Sequence, residues 1–202
     1  MRVGSILFLL LFPLTGCVSY RVTNPPRTAT EQLLISSAAD RAADQLHVML
    51  PRGTRIFVDA HNFTAANGDD AKYAAAAIED RFLLQGLAIM PDPKQADVIV
   101  ALRSGALSIN AHKILIGIPA LPLPIPFSGT VVQTPEVAFF SWDSQKGIAK
   151  FAATSYGARD GSLRSSTGSV IGLAKYNKKI ILFIFSSTRN SMEPPAVNRL
   201  VQ

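Results

Sequence analysis

The chain has 202 residues, of which 48% are hydrophobic and 17% charged; this composition excludes an intrinsically disordered protein and leaves room for one domain behind a short leader. Its single cysteine excludes an internal disulfide and a multi-cysteine metal site. Lys and Arg number 20 against 14 Asp and Glu, a diffuse excess that argues against nucleic acid binding but fits an anionic lipid or glycan surface.

The N-terminal segment combines one positive charge, on Arg2, with the apolar run from Ile6 to Leu14. That run has the length of a signal-peptide core and is too short to span a bilayer as a stable helix. It ends in Leu14-Thr15-Gly16-Cys17, which resembles the lipobox of bacterial lipoproteins. The resemblance implies cleavage between Gly16 and Cys17 and acylation of Cys17. The alternative is an ordinary secretory leader with a chance cysteine, or a buried thiol.

The residue after Cys17 is Val18 rather than aspartate. By analogy with enterobacterial sorting, this favours the outer membrane over retention at the inner membrane. We therefore expect a lipid-anchored protein that faces the periplasm. The predicted organisation is a signal peptide over 1–16, a lipidated tether over 17–27, one domain over 28–189 and a flexible C-terminal tail over 190–202.

A polar motif follows the tether: Thr23-Asn24-Pro25-Pro26-Arg27-Thr28-Ala29-Thr30-Glu31-Gln32-Leu33-Leu34. It resembles the signature of a domain-of-unknown-function family of short bacterial lipoproteins, as do Gly117-Ile118-Pro119 and Thr134-Pro135-Glu136. The resemblance implies an envelope lipoprotein, with no chemistry assigned to the motif. Arg27 and Glu31 either form a partner-binding patch or serve local pairing, since Thr28 and Glu31 fit a capping box.

The first half of the domain predicts alternating helices and strands. One helix begins at Thr28 and carries an apolar face from Leu34 to Leu50, and a second covers 71–85. Strands are predicted over 55–60, 87–90 and 98–102, the last running on to 111. The expected fold is an α/β arrangement, specifically an α+β two-layer sandwich with two helices on a mixed sheet of about five or six strands. The pattern is similar to the N-terminal domain of the Tol translocation protein and to the curli-secretion and Pel-export lipoproteins.

The stretch from Ile114 to Pro135 contains no charged residue, and its prolines exclude a membrane-spanning helix. Within it, large apolar residues alternate with proline and would lie on one side of an extended backbone. These residues are Leu121, Leu123, Ile125 and Phe127. They either fold back over the sheet of the protein or present a partner surface to a neighbouring subunit or the membrane.

The C-terminal half predicts two strands, 136–142 and 148–156, joined by a hairpin turn over 143–147. The Ser- and Gly-rich stretch 162–175 is predicted to be a loop without a phosphate-binding motif. Residues 180–185 are predicted to form a final buried strand.

The sequence offers no clear catalytic or metal site. His47, His61 and His112 are isolated, which makes a zinc site improbable, and we expect no cofactor. Asp59 and His61 share a strand face, which could orient an acid–base pair, but solvation at a sheet edge or a structural hydrogen bond is favoured. The leading hypothesis is a non-enzymatic structural or assembly subunit, either a homo-oligomer or bound to an envelope protein. A monomeric binding module for anionic lipid or glycan is the alternative, and a hydrolase with a polar cleft around Asp59 and His61 ranks third.

Overall fold

A computed structural model describes residues 27–124 and 131–192. The elements in chain order are α1 (Ala29–Ala43), β1 (Arg55–Asp59), α2 (Gly68–Leu84), β2 (Ala88–Ile89), β3 (Val98–Ile118), β4 (Pro122–Pro124), β5 (Val131–Gln133), β6 (Val137–Gly157), β7 (Leu163–Ile181) and β8 (Phe185–Asn190).

Six of the strands form one mixed sheet in the order β2-β1-β3-β6-β7-β8. Strand β1 is parallel to β2 and β3, and every later pairing in the sheet is antiparallel. Strands β4 and β5 pair only with each other, as a small hairpin between β3 and β6. The predicted fold, two helices packed with a mixed sheet of five or six strands, is confirmed.

Helix α1 begins at the predicted capping box. The Thr28 hydroxyl accepts the Glu31 amide at 3.3 Å, and the Glu31 carboxylate accepts the Thr28 amide at 2.8 Å. The prediction that this helix reaches Leu50 is wrong, since α1 ends at Ala43. The Gln85 side chain donates to the Leu46 carbonyl at 2.7 Å and accepts from the Val48 amide at 3.2 Å, and these bonds replace further helical ones.

Helix α1 lies on β6 and β7 at two glycines. A Cβ on Gly147 would lie 2.3 Å from the Leu34 carbonyl oxygen, and one on Gly172 would lie 2.0 Å from that of Ala38. The residues around these glycines were predicted to be a turn (143–147) and a loop (162–175), and both predictions are wrong. Both stretches lie in continuous strands, paired to each other over Gly147 and Gly172. These two glycines allow the backbone of α1 to lie close to the strands, and they do not reverse the chain.

The hydrophobic core lies between the helices and one end of the sheet. Its largest fully buried side chains include Phe82 of α2, Phe151 of β6 and Leu34 of α1. Helix α1 has 15 residues and is about 22 Å long, whereas β3 and β6 each have 21 residues and are about 70 Å long. The sheet therefore extends well beyond the helical layer. The prediction of a buried strand over 180–185 is wrong because these residues lie in the part of the sheet that no described helix covers.

Candidate functional site

The proline-rich stripe of the sequence lies only partly within the described residues. Leu121 and Leu123 fall at the start of the β4–β5 hairpin, and their exposed fractions are 47% and 52%. Ile125 and Phe127 lie outside the described residues, as do Gly16 and Cys17. The described half of the stripe therefore presents half-exposed leucines.

The extended part of β3, β6, β7 and β8 is ordered in rows across the strands. One row contains Lys113, Asp143, Lys178 and Thr188, and the next contains Ile114, Trp142, Lys179 and Ser187. The two rows after these are Leu115, Ser141, Ile180 and Ser186, and then Ile116, Phe140, Ile181 and Phe185. Residues opposite each other in antiparallel strands share a face, so polarity changes from row to row towards the far end of the sheet.

From the row that contains Trp142 onwards, the side chains on both faces of the sheet are mostly apolar. We call the residues 114–124, 131–142 and 180–185 the apolar end. It holds fourteen of the twenty-two exposed large hydrophobic side chains recorded for the described residues: Ile114, Ile116, Ile118, Leu121, Leu123, Val131, Val132, Val137, Phe139, Ile181, Leu182, Phe183, Ile184 and Phe185. Removing the exposed half of such a side chain from water contributes roughly 1 kcal/mol, so covering the apolar end would contribute on the order of 10 kcal/mol. An exposed apolar patch of this extent marks an interaction site.

Lysines border the apolar end on the side towards the helices. Lys113 and Lys178 lie in one row and Lys179 in the next, and we call these three residues the basic border. The Lys179 ammonium lies 5.7 Å from the centre of the Trp142 ring, within the range of a cation–π contact. Glu136, the charged residue of the apolar end, forms an ion pair of 2.5 Å with Lys113. The charge is therefore concentrated where the apolar surface begins.

The turn between β7 and β8 is strained. Leu182 and Phe183 have φ values of 51° and 67°, in the left-handed region that disfavours bulky side chains. Hairpin turns with this backbone ordinarily use Asn and Gly, and each bulky residue here costs roughly 1–2 kcal/mol. Both side chains are about half exposed, and the ring of Phe183 makes an edge-to-face contact with that of Phe139. Strain of this kind accumulates at functional sites, and here it places two apolar side chains at the very end of the sheet.

Both edges of the extended sheet are unpaired among the described residues. Strand β1 pairs with β3 only over Val98–Ala101, so the 102–118 segment of β3 pairs on one side only, with β6. Strand β8 pairs with β7 on one side, and its six residues are all exposed. Unpaired edges of this length are templates for pairing with another strand.

Asp59 and His61, for which the sequence favoured a structural role over an acid–base pair, are linked through the backbone of His61. The Asp59 carboxylate accepts the backbone amide of His61 at 3.0 Å, which fixes the turn after β1. Among the described residues, no three His, Cys, Asp or Glu side chains are grouped so that they could hold a metal ion. The geometry at Asp59 is that of a turn rather than a catalytic cleft.

A small cavity of about 220 Å³ lies between the helices, beside Asp40, Tyr73 and Arg81. The Tyr73 hydroxyl donates to Asp40 at 3.0 Å, and Arg81 pairs with Asp44. Burial raises the pKa of the Asp40 carboxyl, and burial together with the Asp40 charge raises the pKa of Tyr73. These groups satisfy one another across the helix pair, and sequence reasoning did not single them out because they are far apart in the chain.

Two further carboxylates have pKa values below the usual range, and each is held by a neighbouring donor. The Arg55 guanidinium lowers the pKa of Asp97, and the hydroxyl and amide of Ser162 lower that of Asp160. Both carboxylates lie at the surface. Asp97 links the start of β1 to that of β3, and Asp160 fixes the turn between β6 and β7. They are local structural pairs and do not converge on a common site.

No helix within 27–124 or 131–192 has both the length and the apolar character needed to cross a bilayer. A search of curated proteins found no match to this chain. A model of a family of unknown function, DUF6655, matches residues 13–175, which is most of the chain. The resemblance to a domain-of-unknown-function family is thereby confirmed, and the chain belongs to DUF6655.

Proposed function

We propose that this protein is a lipid-anchored structural subunit of the bacterial cell envelope, attached to the outer membrane through Cys17 and facing the periplasm. The observation that carries the proposal is the part of the sheet that extends beyond the helical layer. Among the described residues, this part has two unpaired strand edges and an apolar end. An enzyme would need converging polar groups, whereas this surface offers backbone hydrogen bonds and apolar area. Backbone hydrogen bonds at strand edges and contacts between apolar surfaces both hold protein subunits together.

Copies of the chain can pair edge to edge while every copy in the row keeps the same orientation. Strands β3, β6, β7 and β8 alternate in direction, so β8 is antiparallel to β3. The β8 edge of one copy therefore meets the β3 edge of the next in antiparallel register, and the contact leaves a free edge at each end. Such a head-to-tail interface is heterologous and adds copies in a row.

Paired cysteines test this arrangement. The chain has no cysteine other than Cys17, whose sulfur is blocked when acylated. We expect Thr188→Cys, combined in turn with Ala111→Cys, Lys113→Cys and Leu115→Cys, to give a disulfide-linked ladder for at least one pair. All four positions share one face of the sheet, so Cβ atoms come within bonding distance when the register is right. The measurement is non-reducing electrophoresis of oxidised membranes.

The control pair is Thr188→Cys with Leu163→Cys, since Leu163 is exposed but lies at the opposite end of the sheet. This pair and each single variant are expected to stay monomeric or give dimers only. If no pair gives a ladder, and the chain extracted in mild detergent is a monomer by light scattering, the assembly role is wrong.

The alternative is a monomeric module that binds an anionic lipid or glycan. The cluster of Lys175, Lys178 and Lys179 on β7 favours it, because these cations lie within five residues of one strand. Retention on such a ligand that disappears as salt is raised would support the alternative. A monomer with this behaviour would replace the assembly proposal.

A further inference from the structure

We propose that the apolar end is a membrane-inserting surface, which enters a lipid bilayer while the basic border lies at the headgroups. This goes beyond lipid anchoring, because it is a property of the folded sheet and does not require an acyl group on Cys17. The occupant that fits the surface is a lipid bilayer containing anionic headgroups.

The order of residues along the sheet matches the order of layers at a membrane surface. Charged Lys113, Asp143 and Lys178 come first, then Trp142 with Lys179 over its ring, and then paired rows with no charged residue. The acidic residue of the apolar end, Glu136, precedes β6 and forms an ion pair with Lys113. Trp and Lys are the side chains that prefer the boundary between headgroups and hydrocarbon. A partner protein would not require both faces of the sheet to become apolar at the same row, whereas a bilayer surrounds both faces. In hydrocarbon the two open strand edges must also be paired, and the edge-to-edge row of copies in the proposed function pairs them.

The paired rows of the apolar end have about the depth of one leaflet. From Ile114 to Ile118 the strand advances about 13 Å, close to half of the roughly 30 Å hydrocarbon thickness of a bilayer, and the β4 and β5 residues continue the apolar end beyond Ile118. The β7–β8 turn ends at a comparable depth, since Ile181 pairs with Phe140, which pairs in turn with Ile116. The most exposed apolar residue of this turn, Ile184 at 78%, would lie among acyl chains.

The charge balance favours anionic lipid. Over 108–147 and 174–190, which run from the contact of Gly147 with α1 to the apolar end, six basic residues stand against two acidic ones, Glu136 and Asp143, and Glu136 is paired with Lys113. The basic residues are Lys113, Lys146, Lys175, Lys178, Lys179 and Arg189. Each cation close to an anionic surface strengthens binding within a Debye length.

The start of α1 lies towards the same end of the sheet. Along α1, Leu34 is over Gly147, Arg41 bonds to Leu173, Gln45 bonds to the Ile171 carbonyl and, beyond the helix, the Met49 amide bonds to Ser165. These contacts move steadily away from the apolar end, so the helix begins nearest to it. Only ten residues, 17–26, separate an anchor at Cys17 from Arg27, and they reach at most about 35 Å. An anchored chain therefore holds the apolar end close to lipid.

The test uses the mature chain, residues 17–202 with Cys17→Ser, which has neither an acyl group nor the apolar run from Ile6 to Leu14, with vesicles of phosphatidylethanolamine and phosphatidylglycerol. Trp142 is the only tryptophan, so its fluorescence reports on the border of the apolar end alone. We expect a blue shift on vesicle addition, quenching by brominated acyl chains, and co-sedimentation that weakens several-fold when phosphatidylglycerol is replaced by phosphatidylcholine. No quenching and no co-sedimentation would overturn the proposal.

Matched variants locate the binding surface. Ile184→Asp with Phe185→Asp is expected to reduce vesicle binding at least tenfold, and Leu163→Asp, at a position 69% exposed on the body, is expected to leave it unchanged. Equal loss in both variants, or no loss in the first, would overturn the proposal. If the first variant reduces the size of the oligomer in solution while wild type ignores vesicles, the surface is a contact between copies and the proposal is wrong.

A variant of the strained turn separates a loss of vesicle binding from a loss of folding. Leu182→Asn with Phe183→Gly relieves the backbone strain, so the melting temperature is expected to rise while vesicle binding falls. A rise in stability with unchanged binding would contradict the assignment of these two side chains to the membrane. If Cys17 is not acylated in the cell, the expected results for vesicle binding, for the aspartate variants and for the turn variant do not change. The proposal is therefore tested separately from the lipid anchor.

Discussion

Replacing Gly172 with alanine is expected to destabilise the fold by about 3 kcal/mol or more. A Cβ at this position would lie 2.0 Å from the Ala38 carbonyl oxygen and 2.5 Å from the Ala42 amide nitrogen, both in the backbone of α1. The helix must therefore shift as a whole, and it carries Leu34, Ile35, Ala38, Ala39 and Ala42 into the core. Urea denaturation followed by circular dichroism measures the loss.

The control is Gly68→Ala, the same chemical change at the first residue of α2, where a Cβ meets no atom within 4 Å. This variant is expected to be neutral or slightly more stable, since alanine restricts the unfolded chain more than glycine does. Equal stability of Gly172→Ala and wild type would mean that α1 does not lie on the sheet at this distance.

The second large effect is expected from Cys17→Ser. We expect this variant to lose its fatty acid and to be stripped from membranes by an alkaline carbonate wash, while the wild-type chain remains in the pellet. The reason is that several acyl chains, at about 0.8 kcal/mol per buried CH₂, give a nearly permanent anchor. Under the membrane-insertion proposal, the apolar end alone holds the chain at the membrane reversibly. Fractionation with and without the wash measures both contributions.

The comparison variant is Cys17→Ser combined with Ile184→Asp and Phe185→Asp. It is expected in the soluble fraction even before the wash, because both means of attachment are removed. Retention of Cys17→Ser in the pellet after carbonate, at the wild-type level, would contradict the lipid anchor.

Sequence patterns predicted the helical half of this protein well because its signals are local. Thr28 and Glu31 form the predicted capping box within four residues. The second helix was predicted over 71–85, and α2 begins three residues earlier, at Gly68, where Asn67 accepts the Asp69 amide. The end of α1 was not predictable, because it depends on Gln85, a side chain 39 residues away from Leu46. Long-range hydrogen bonds of this kind leave no periodic signal.

The extended strands were harder to predict, for a physical reason. Gly147 and Gly172 indicate turns by composition, but here they permit a helix to approach the sheet, and that requirement appears only in the assembled fold. The run Ile180–Phe185 indicates burial by hydrophobicity, yet no described helix covers it. An exposed apolar strand and a core strand have the same hydrophobic pattern in sequence. They differ in whether a helix packs over the strand, which the pattern does not show.

The candidate surface was partly predictable. The uncharged stretch from Ile114 to Pro135 indicated an apolar surface, and Leu121 and Leu123 belong to it. The contribution of Phe139, and of Phe183 in the β7–β8 turn, was missed because these residues are far from that stretch in sequence. Their rings are 5.9 Å apart in an edge-to-face contact that the strand pairing brings about.

The lipid anchor at Cys17 is the central claim, and the mass of the N-terminal peptide of the mature chain tests it most directly. Trypsin releases the peptide Cys17–Arg21 if cleavage occurs between Gly16 and Cys17. The account predicts this peptide with a diacylglyceryl group on sulfur and an acyl group on the new amino terminus. An N-terminal peptide that carries an unmodified Cys17, or that retains residues of the 1–16 segment, would contradict it.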